Sequence, residues 1–146
     1  MRIMGLDIGS KTIGVAVSDE LGLIAQGLKT IQTRPHKGEL DELATIIAEL
    51  GISLVVVGLP KNMDGTLGKQ AEMVLQWIET FRKRLEISVV TWDERLSTVG
   101  ASRVLLEANV SRKKRKKVID KLAAVLILQG YLDQSRQPTD GTFSEA

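Results

Sequence analysis

Apolar and polar positions along the chain follow a pattern that predicts strands first and helices later. Two apolar runs, residues 2–7 and 12–18, flank a short turn at 9–11 and predict a β-hairpin. A third strand is predicted over about residues 24–31, after a Leu-Gly turn. The chain therefore opens with three consecutive strands, which favours an antiparallel start to its sheet.

Helical spacing appears in the middle of the chain. Apolar residues recur at intervals of three and four over residues 39–50, which predicts a helix that Gly51 caps. The valine-rich run at 54–58 is typical of a strand that is covered on both faces. A second helix is predicted over 69–85, with Met73 and Trp77 among its core residues, and a β-branched strand over 87–92.

The last third of the chain predicts two further helices. One is expected over about 98–107, and the other begins after Ser111 and passes from basic residues into a long apolar stretch. Residues 1–133 are predicted to form one domain, and the polar tail 134–146 is predicted to be flexible.

This order of elements predicts an α/β fold. It fits a five-stranded mixed sheet in which strands 1, 2 and 3 are antiparallel, strands 4 and 5 are parallel, and helices cover both faces. If strands 1, 4 and 5 are parallel neighbours, their carboxyl ends meet at one edge, where open α/β sheets place ligands. Asp7, Gly58, Asp93 and Glu94 all lie at these three strand ends.

The amino-acid composition narrows the chemistry. The chain of 146 residues has no cysteine, which excludes disulfides and cysteine nucleophiles, and its one histidine, His36, stands in a polar segment. Any metal ion must therefore bind oxygen ligands, which favours Mg²⁺ or Mn²⁺. No apolar run approaches the roughly 18 residues of a membrane span, and no signal peptide is recognisable, so we expect a cytoplasmic protein without a membrane partner.

The positive charge of the chain is concentrated in one segment. Residues 111–121 contain seven basic residues and one acid, a net charge of +6, whereas the whole chain carries +2 and the remainder therefore −4. Such a segment is a candidate nucleic-acid contact, although a solvated helix start is the common alternative. The continuous basic run consists of Arg112, Lys113, Lys114, Arg115, Lys116 and Lys117.

Three separate carboxylates are candidates for a shared site. Asp7 lies within an apolar strand, where a charge is costly unless a cation or several donors meet it. Asp120 lies where the final helix turns from basic to apolar. Carboxylates that converge from two strand ends and a helix repel one another unless cations lie between them. Two divalent ions in such a cluster hydrolyse phosphodiesters, with one ion activating water and the other stabilising the leaving oxygen.

Each carboxylate also has a simpler explanation. Asp7 is able to accept hydrogen bonds from the turn that follows it, and Asp93 or Glu94 to pair with Arg95 as solvated residues. Asp120 lies one helical turn after a lysine with which it is able to pair. Because adjacent strand residues point to opposite faces, only one of Asp93 and Glu94 is expected to face the metal ions.

Four motifs, in this order, resemble those of the YqgF family, the RuvX-type pre-16S rRNA nucleases that older descriptions call Holliday junction resolvases. They are DIGSKTIGVAVSD from Asp7, GLPKNMDGT from Gly58, DERLST from Asp93, and KKVIDKLAAVLILQGYL from Lys116. The resemblance implies a ribonuclease H-like fold and a nuclease that depends on Mg²⁺ or Mn²⁺, with two ions, and matures the 5′ end of 16S rRNA.

Carried over by position, the resemblance places the catalytic and metal-binding carboxylates at Asp7, Glu94 and Asp120. Asp93 and Arg95 are expected beside this cluster as supporting residues. Lys11 and Asn62, together with the basic run, are expected to contact the nucleic acid, although a solvated turn lysine and an ordinary turn asparagine explain the first two equally well.

Several functions stay open at this point. The first is processing of pre-16S rRNA, the second is resolution of DNA Holliday junctions, and the third is a non-catalytic role in RNA binding during ribosome assembly. Junction resolution requires two symmetric active sites and hence a dimer, and the sequence is compatible with a monomer or a homodimer. An actin-like ATP site is disfavoured, because that fold needs a second, duplicated domain for which 146 residues leave no room.

Overall fold

A five-stranded mixed sheet forms the centre of the protein, with strand order β3-β2-β1-β4-β5. The computed structural model describes residues 1–33, 38–96 and 112–136, and in 112–120 it describes the backbone alone. The strands are β1 (Arg2–Ile8), β2 (Thr12–Ser18), β3 (Ala25–Gln32), β4 (Ile52–Leu59) and β5 (Ser88–Asp93). β1 pairs antiparallel with β2, and β2 with β3, whereas β1, β4 and β5 are parallel neighbours. The predicted mixed sheet is confirmed.

The described helices are α1 (Glu39–Leu50), α2 (Lys69–Arg84) and α3 (Arg112–Arg136), with a single 3-10 turn at Glu94–Leu96. The prediction for α1 is confirmed at both ends. Gly51 ends α1 in the left-handed conformation, with φ 64° and its N–H bonded to the Ile47 carbonyl. α3 runs to Arg136, two residues beyond where the tail was expected to begin, and the helix predicted near 98–107 lies outside the described residues.

The sheet separates two apolar cores. Side chains from one face of the strands, including Met4, Leu6 and Val57, pack with α1 and α2. Those from the other face, including Ile3 and Val56, pack with α3. Because successive residues of a strand point to opposite faces, Gly5 and Asp7 share the α3 face with Ile3. Among the described helices none is long and apolar enough to cross a membrane.

Glycines allow α3 to lie close against the sheet. A Cβ on Gly5 would lie 2.6 Å from Leu128 Cβ and 3.1 Å from the Ala124 carbonyl oxygen, so the backbones themselves are in near contact. On β3, a Cβ on Gly27 would instead meet the side-chain stem of Lys121, with Cγ at 2.8 Å. The contact at Gly5 is with the backbone and Cβ atoms of a helix, which are rigid, whereas the contact at Gly27 is with a flexible side chain.

We therefore expect Gly5→Ala to lower the free energy of unfolding by about 1–3 kcal/mol, because α3 must move to admit the methyl group. Gly27→Ala is the matched control, a strand glycine under the same helix where only Lys121 has to rotate. Its stability should stay within about 1 kcal/mol of the wild type. Urea unfolding of both variants measures the difference, and equal losses would contradict the proposed contact of α3 with β1.

Candidate active site

Asp7 lies near the carboxyl end of β1, on the face that α3 covers. Its side chain is buried, with 7% of the residue exposed. The residue opposite it on β2 is Gly14. On the other side, Leu6 pairs with Val57, so the next step of the register brings Asp7 beside Gly58 of β4. Glycines therefore lie opposite Asp7 on both neighbouring strands, so neither of these two positions carries a side chain beside the Asp7 carboxylate.

Glu94 approaches the same place from β5. It is the first residue of the 3-10 turn that follows Asp93. A Cβ on Gly58 would lie only 2.8 Å from Glu94 Oε2, so the Glu94 carboxylate lies directly over this glycine. Asp7 and Glu94 therefore flank Gly58 on one face, at the edge where three parallel strands end. The predicted strand order is confirmed, and it places Asp7 and Glu94 at the ends of strands on either side of β4.

The third predicted carboxylate, Asp120, lies on the described backbone of α3, one turn before Ala123 and Ala124. Its side chain, like those of the basic run at 112–117, is outside the described residues. Within the described part of the chain, no three acidic, histidine or cysteine side chains lie close enough to hold a metal ion. Carboxylate oxygens, such as those of Asp7 and Glu94 at neighbouring strand ends, are nevertheless the ligands that hard divalent cations prefer.

Asp93 has a different partner from Glu94. Its carboxylate accepts hydrogen bonds from Arg95 Nη2 at 2.7 Å and from Arg95 Nε at 3.1 and 3.2 Å, and also from the Arg95 backbone N–H at 3.0 Å. Arg95 Nη1 donates to the Met63 carbonyl oxygen at 3.2 Å. The Arg95 side chain holds the pKa of Asp93 below its usual value, and the Asp93 carboxylate raises the pKa of Arg95. Arg95 thus connects the β4–α2 loop, through Met63, with Asp93 at the end of β5.

The β4–α2 loop is also ordered by its own side chains. Asp64 accepts hydrogen bonds from the Thr66 hydroxyl at 2.6 Å and the Thr66 N–H at 3.0 Å, which lowers the pKa of Asp64. Asn62 Nδ2 donates to the Thr66 hydroxyl at 2.9 Å. Asn62 is exposed but bonded within its loop, and Lys11 is exposed at the tip of the β1–β2 turn. Both stay predicted nucleic-acid contacts.

The Asp93–Arg95 pair predicts a stability that depends on pH. Since the folded pKa of Asp93 is lowered, its stabilisation is complete above the ordinary aspartate pKa of about 3.9 and is lost as the pH falls through the lowered value. We expect Asp93→Asn to unfold more easily than the wild type between pH 5 and 7, with the difference shrinking below about pH 4. Thermal unfolding across this range measures it. Glu79→Gln, an exposed change on α2, is the control, and a pH-independent gap between Asp93→Asn and the wild type would contradict the pairing.

Comparison with known proteins identifies the family of this chain. The family model described as RuvX, Holliday junction resolvase, matches residues 1–134. The chain belongs to the RuvX family. A relative from Clostridioides difficile (strain 630) is 62% identical over 132 residues, which cover 90% of this chain and 94% of the relative. A relative from Desulforamulus reducens is 56% identical over 133 residues, which cover 91% of this chain and 97% of the relative. Both relatives carry the name "Putative pre-16S rRNA nuclease".

Solved structures share the fold of this RuvX chain. RuvC from Thermus thermophilus, in complex with a Holliday junction substrate, matches with a TM-score of 0.54 at 16% identity over 93% of this chain and 97% of RuvC. The fowlpox virus Holliday junction resolvase matches with a TM-score of 0.52 at 15% identity, over 94% of this chain and 100% of the resolvase chain. At these identities the likeness concerns the fold alone. The ribonuclease H-like fold that the sequence motifs imply is confirmed.

One residue of the site has no role in the sequence-based prediction. Gly58 is the last residue but one of the valine-rich strand β4. The need for a glycine follows from Glu94 and Ile127, whose side-chain atoms lie where a Cβ would be. The signal available in the sequence is a glycine at the end of a buried parallel strand, where a ligand or another chain segment comes close.

Proposed function

We propose that this RuvX chain is a divalent-metal-dependent endonuclease that acts on structured RNA and processes the 5′ end of pre-16S rRNA. The observation that carries the proposal is the meeting of Asp7 and Glu94 around Gly58 at the carboxyl edge of the parallel strands. The names of the relatives, both pre-16S rRNA nucleases, favour this substrate.

Asp7, Glu94 and Asp120 are the residues proposed to hold Mg²⁺ or Mn²⁺, with two ions at the site. When bound, such ions supply an activated water and stabilise the leaving oxygen of a phosphodiester. Asp7 contributes a ligand of fixed orientation, because its backbone belongs to a central strand and its side chain is buried. Glu94 contributes a ligand whose position depends on the space that Gly58 leaves.

The supporting residues have structural tasks in this proposal. Asp93 pairs with the guanidinium of Arg95, which also donates to the Met63 carbonyl oxygen and thereby orders the neighbouring loop. The basic run at 112–117 lies in the first turns of α3, directly before Asp120. Such a cluster binds a phosphate backbone without reading its sequence, so affinity for RNA should fall steeply with salt.

A second candidate is resolution of DNA Holliday junctions, which the description of the family model favours. The two functions differ in what they require of the protein. Resolution needs two symmetric incisions and therefore two active sites in a dimer, whereas removal of a 5′ leader needs one. A third candidate, non-catalytic RNA binding, requires the basic run but not the carboxylates.

The test compares two substrates under one condition. Purified protein is incubated with Mg²⁺ or Mn²⁺ and either a 16S precursor that carries its 5′ leader or a four-way DNA junction of similar length. We expect a specific cut in the RNA, and we expect both Glu94→Gln and EDTA to abolish that cleavage. Symmetric cleavage of the junction alone would support the second candidate. RNA binding without any cleavage would support the third.

A further inference from the structure

The β4–α2 loop presents an apolar side chain to solvent beside the candidate active site. Met63 is 91% exposed, the largest value among the large apolar residues in the described part of the chain. It lies in the loop that leaves the carboxyl end of β4, shortly after Gly58. Because the Glu94 carboxylate lies over Gly58, this loop borders the edge of the sheet where a substrate would bind.

The turn that carries Met63 is held in one conformation. The Gly65 N–H donates to the Asn62 carbonyl oxygen at 2.9 Å, which closes a β-turn with Met63 as its second residue. Outside the loop, Arg95 Nη1 donates to the Met63 carbonyl oxygen at 3.2 Å. The backbone of Met63 is thereby tied to the residue that directly follows Glu94, whereas its side chain is left in solvent.

The residues around Met63 suit contact with a nucleic-acid strand. Two lysines, Lys61 and Lys69, and one acid, Asp64, give residues 61–69 a net charge of +1. Leu67, which is 45% exposed, is a second apolar side chain of this loop. Residues 60–68 include no aromatic residue, so any apolar contact that they make with a base comes from an aliphatic side chain. Methionine is unbranched and polarisable, which favours contact with an aromatic ring.

We propose that Met63 is an apolar wedge that inserts beside a base of the RNA substrate next to the scissile phosphate, with Lys61 on the adjoining backbone. This inference rests on the proposed nuclease function. Proteins that kink DNA insert methionine and other apolar side chains between neighbouring bases. Single-stranded RNA segments, whose bases are already splayed out, oppose such insertion less. Because Arg95 ties the turn to the end of β5, an inserted Met63 would fix the RNA strand relative to Glu94.

The first test measures RNA affinity without cleavage. A 16S precursor RNA that carries its 5′ leader is titrated with the full chain in EDTA. Met63→Ala should weaken binding about tenfold, because the contact of one side chain with one base has roughly this effect. Met63→Leu conserves the apolar volume and should bind within about threefold of the wild type. Leu21→Ala, at a residue that is 78% exposed in the β2–β3 turn, is the matched control and should bind like the wild type.

Salt dependence separates an apolar contact from a phosphate contact. Since the wedge carries no charge, Met63→Ala should lower RNA affinity by the same factor at low and high salt. Lys61→Gln removes one phosphate contact, so the slope of log affinity against log salt concentration should become shallower by about 0.7–0.9. A shallower slope for Met63→Ala would contradict an apolar role for Met63.

The absence of cysteine from the sequence allows the contact to be located. Met63→Cys introduces a single thiol, to which a photoreactive aryl azide is attached. Its crosslinks should fall on nucleotides around the 5′ end of the mature 16S sequence, whereas the Leu21→Cys conjugate should give none there. A 2-aminopurine at the crosslinked position should become brighter when the wild type binds, because insertion unstacks it, and should stay dim with Met63→Ala.

The outcomes separate this inference from the nuclease proposal. Unchanged RNA affinity and unchanged 2-aminopurine fluorescence in Met63→Ala would overturn the wedge, and cleavage of the precursor by the same wild-type protein would leave the nuclease proposal standing. A base contact that depends on Met63, in a protein that cleaves no RNA, would support the wedge and contradict the nuclease proposal. An equal loss of affinity in Leu21→Ala would also overturn the inference.

Discussion

Asp7→Asn is expected to abolish metal-dependent cleavage while the fold is retained. The amide has nearly the same shape but is a poor ligand for a divalent cation. A loss of several kcal/mol of transition-state stabilisation corresponds to a rate at least about a thousandfold lower. Without metal, the variant should stay folded, with a free energy of unfolding within about 2 kcal/mol of the wild type, because the amide nearly preserves the shape of this buried side chain. Cleavage assays and urea unfolding on the same preparation measure both effects.

The control for Asp7→Asn is Asp41→Asn. This substitution removes an exposed carboxylate of α1 that pairs with Arg84 of α2. This variant should cleave like the wild type. Cleavage retained by Asp7→Asn would contradict the assignment of Asp7. A collapse of stability in Asp7→Asn would point to the simpler explanation, in which Asp7 accepts structural hydrogen bonds.

Gly58→Ala is expected to lower the rate of cleavage about a hundredfold, while the protein stays folded and its free energy of unfolding changes little. The new Cβ would lie 2.8 Å from Glu94 Oε2 and 2.4 Å from Ile127 Cδ1. Both atoms are at the ends of flexible side chains, so the side chains shift and the strand does not. A catalytic group displaced by about 1 Å costs on the order of a hundredfold in rate. Cleavage rates at saturating substrate measure the effect.

A second substitution separates displacement of the carboxylate from crowding of the core. Ile127→Val removes the Cδ1 atom that meets the new methyl group most closely, but leaves Glu94 where Gly58→Ala has pushed it. The double variant should therefore recover the stability lost in Gly58→Ala, as judged by urea unfolding, without recovering cleavage. If cleavage returns with stability, the effect of Gly58→Ala comes from core packing and the proposed role of Gly58 in positioning Glu94 is wrong.

Much of the fold is predictable from the sequence because local patterns specify it. The periodic apolar positions of α1 and its terminal Gly51 define that helix completely. The valine-rich β4 and the paired runs around residues 9–11 define the parallel strand and the hairpin. The strand order then follows from general rules of chain topology, so the meeting of strand ends at one edge could be expected before any contact was known.

The details of the site depend on contacts between distant residues, which no local pattern encodes. Glu94 lies over Gly58 although 35 residues separate them along the chain, and only the paired strands bring them together. Trp77 fits the apolar stripe of α2, but it also borders a cavity whose opposite side comes from α1. The pairing of Asp93 with Arg95, by contrast, is local and was among the interpretations of the sequence.

The central claim is that Asp7, Glu94 and Asp120 bind the same divalent ions. It is tested most directly by calorimetric titration of Mn²⁺ into the wild type and into Asp7→Asn, Glu94→Gln and Asp120→Asn. We predict saturable binding by the wild type and affinity lower by more than about tenfold in each variant, with the fold intact. Mn²⁺ binding that is unchanged in all three variants would contradict the claim.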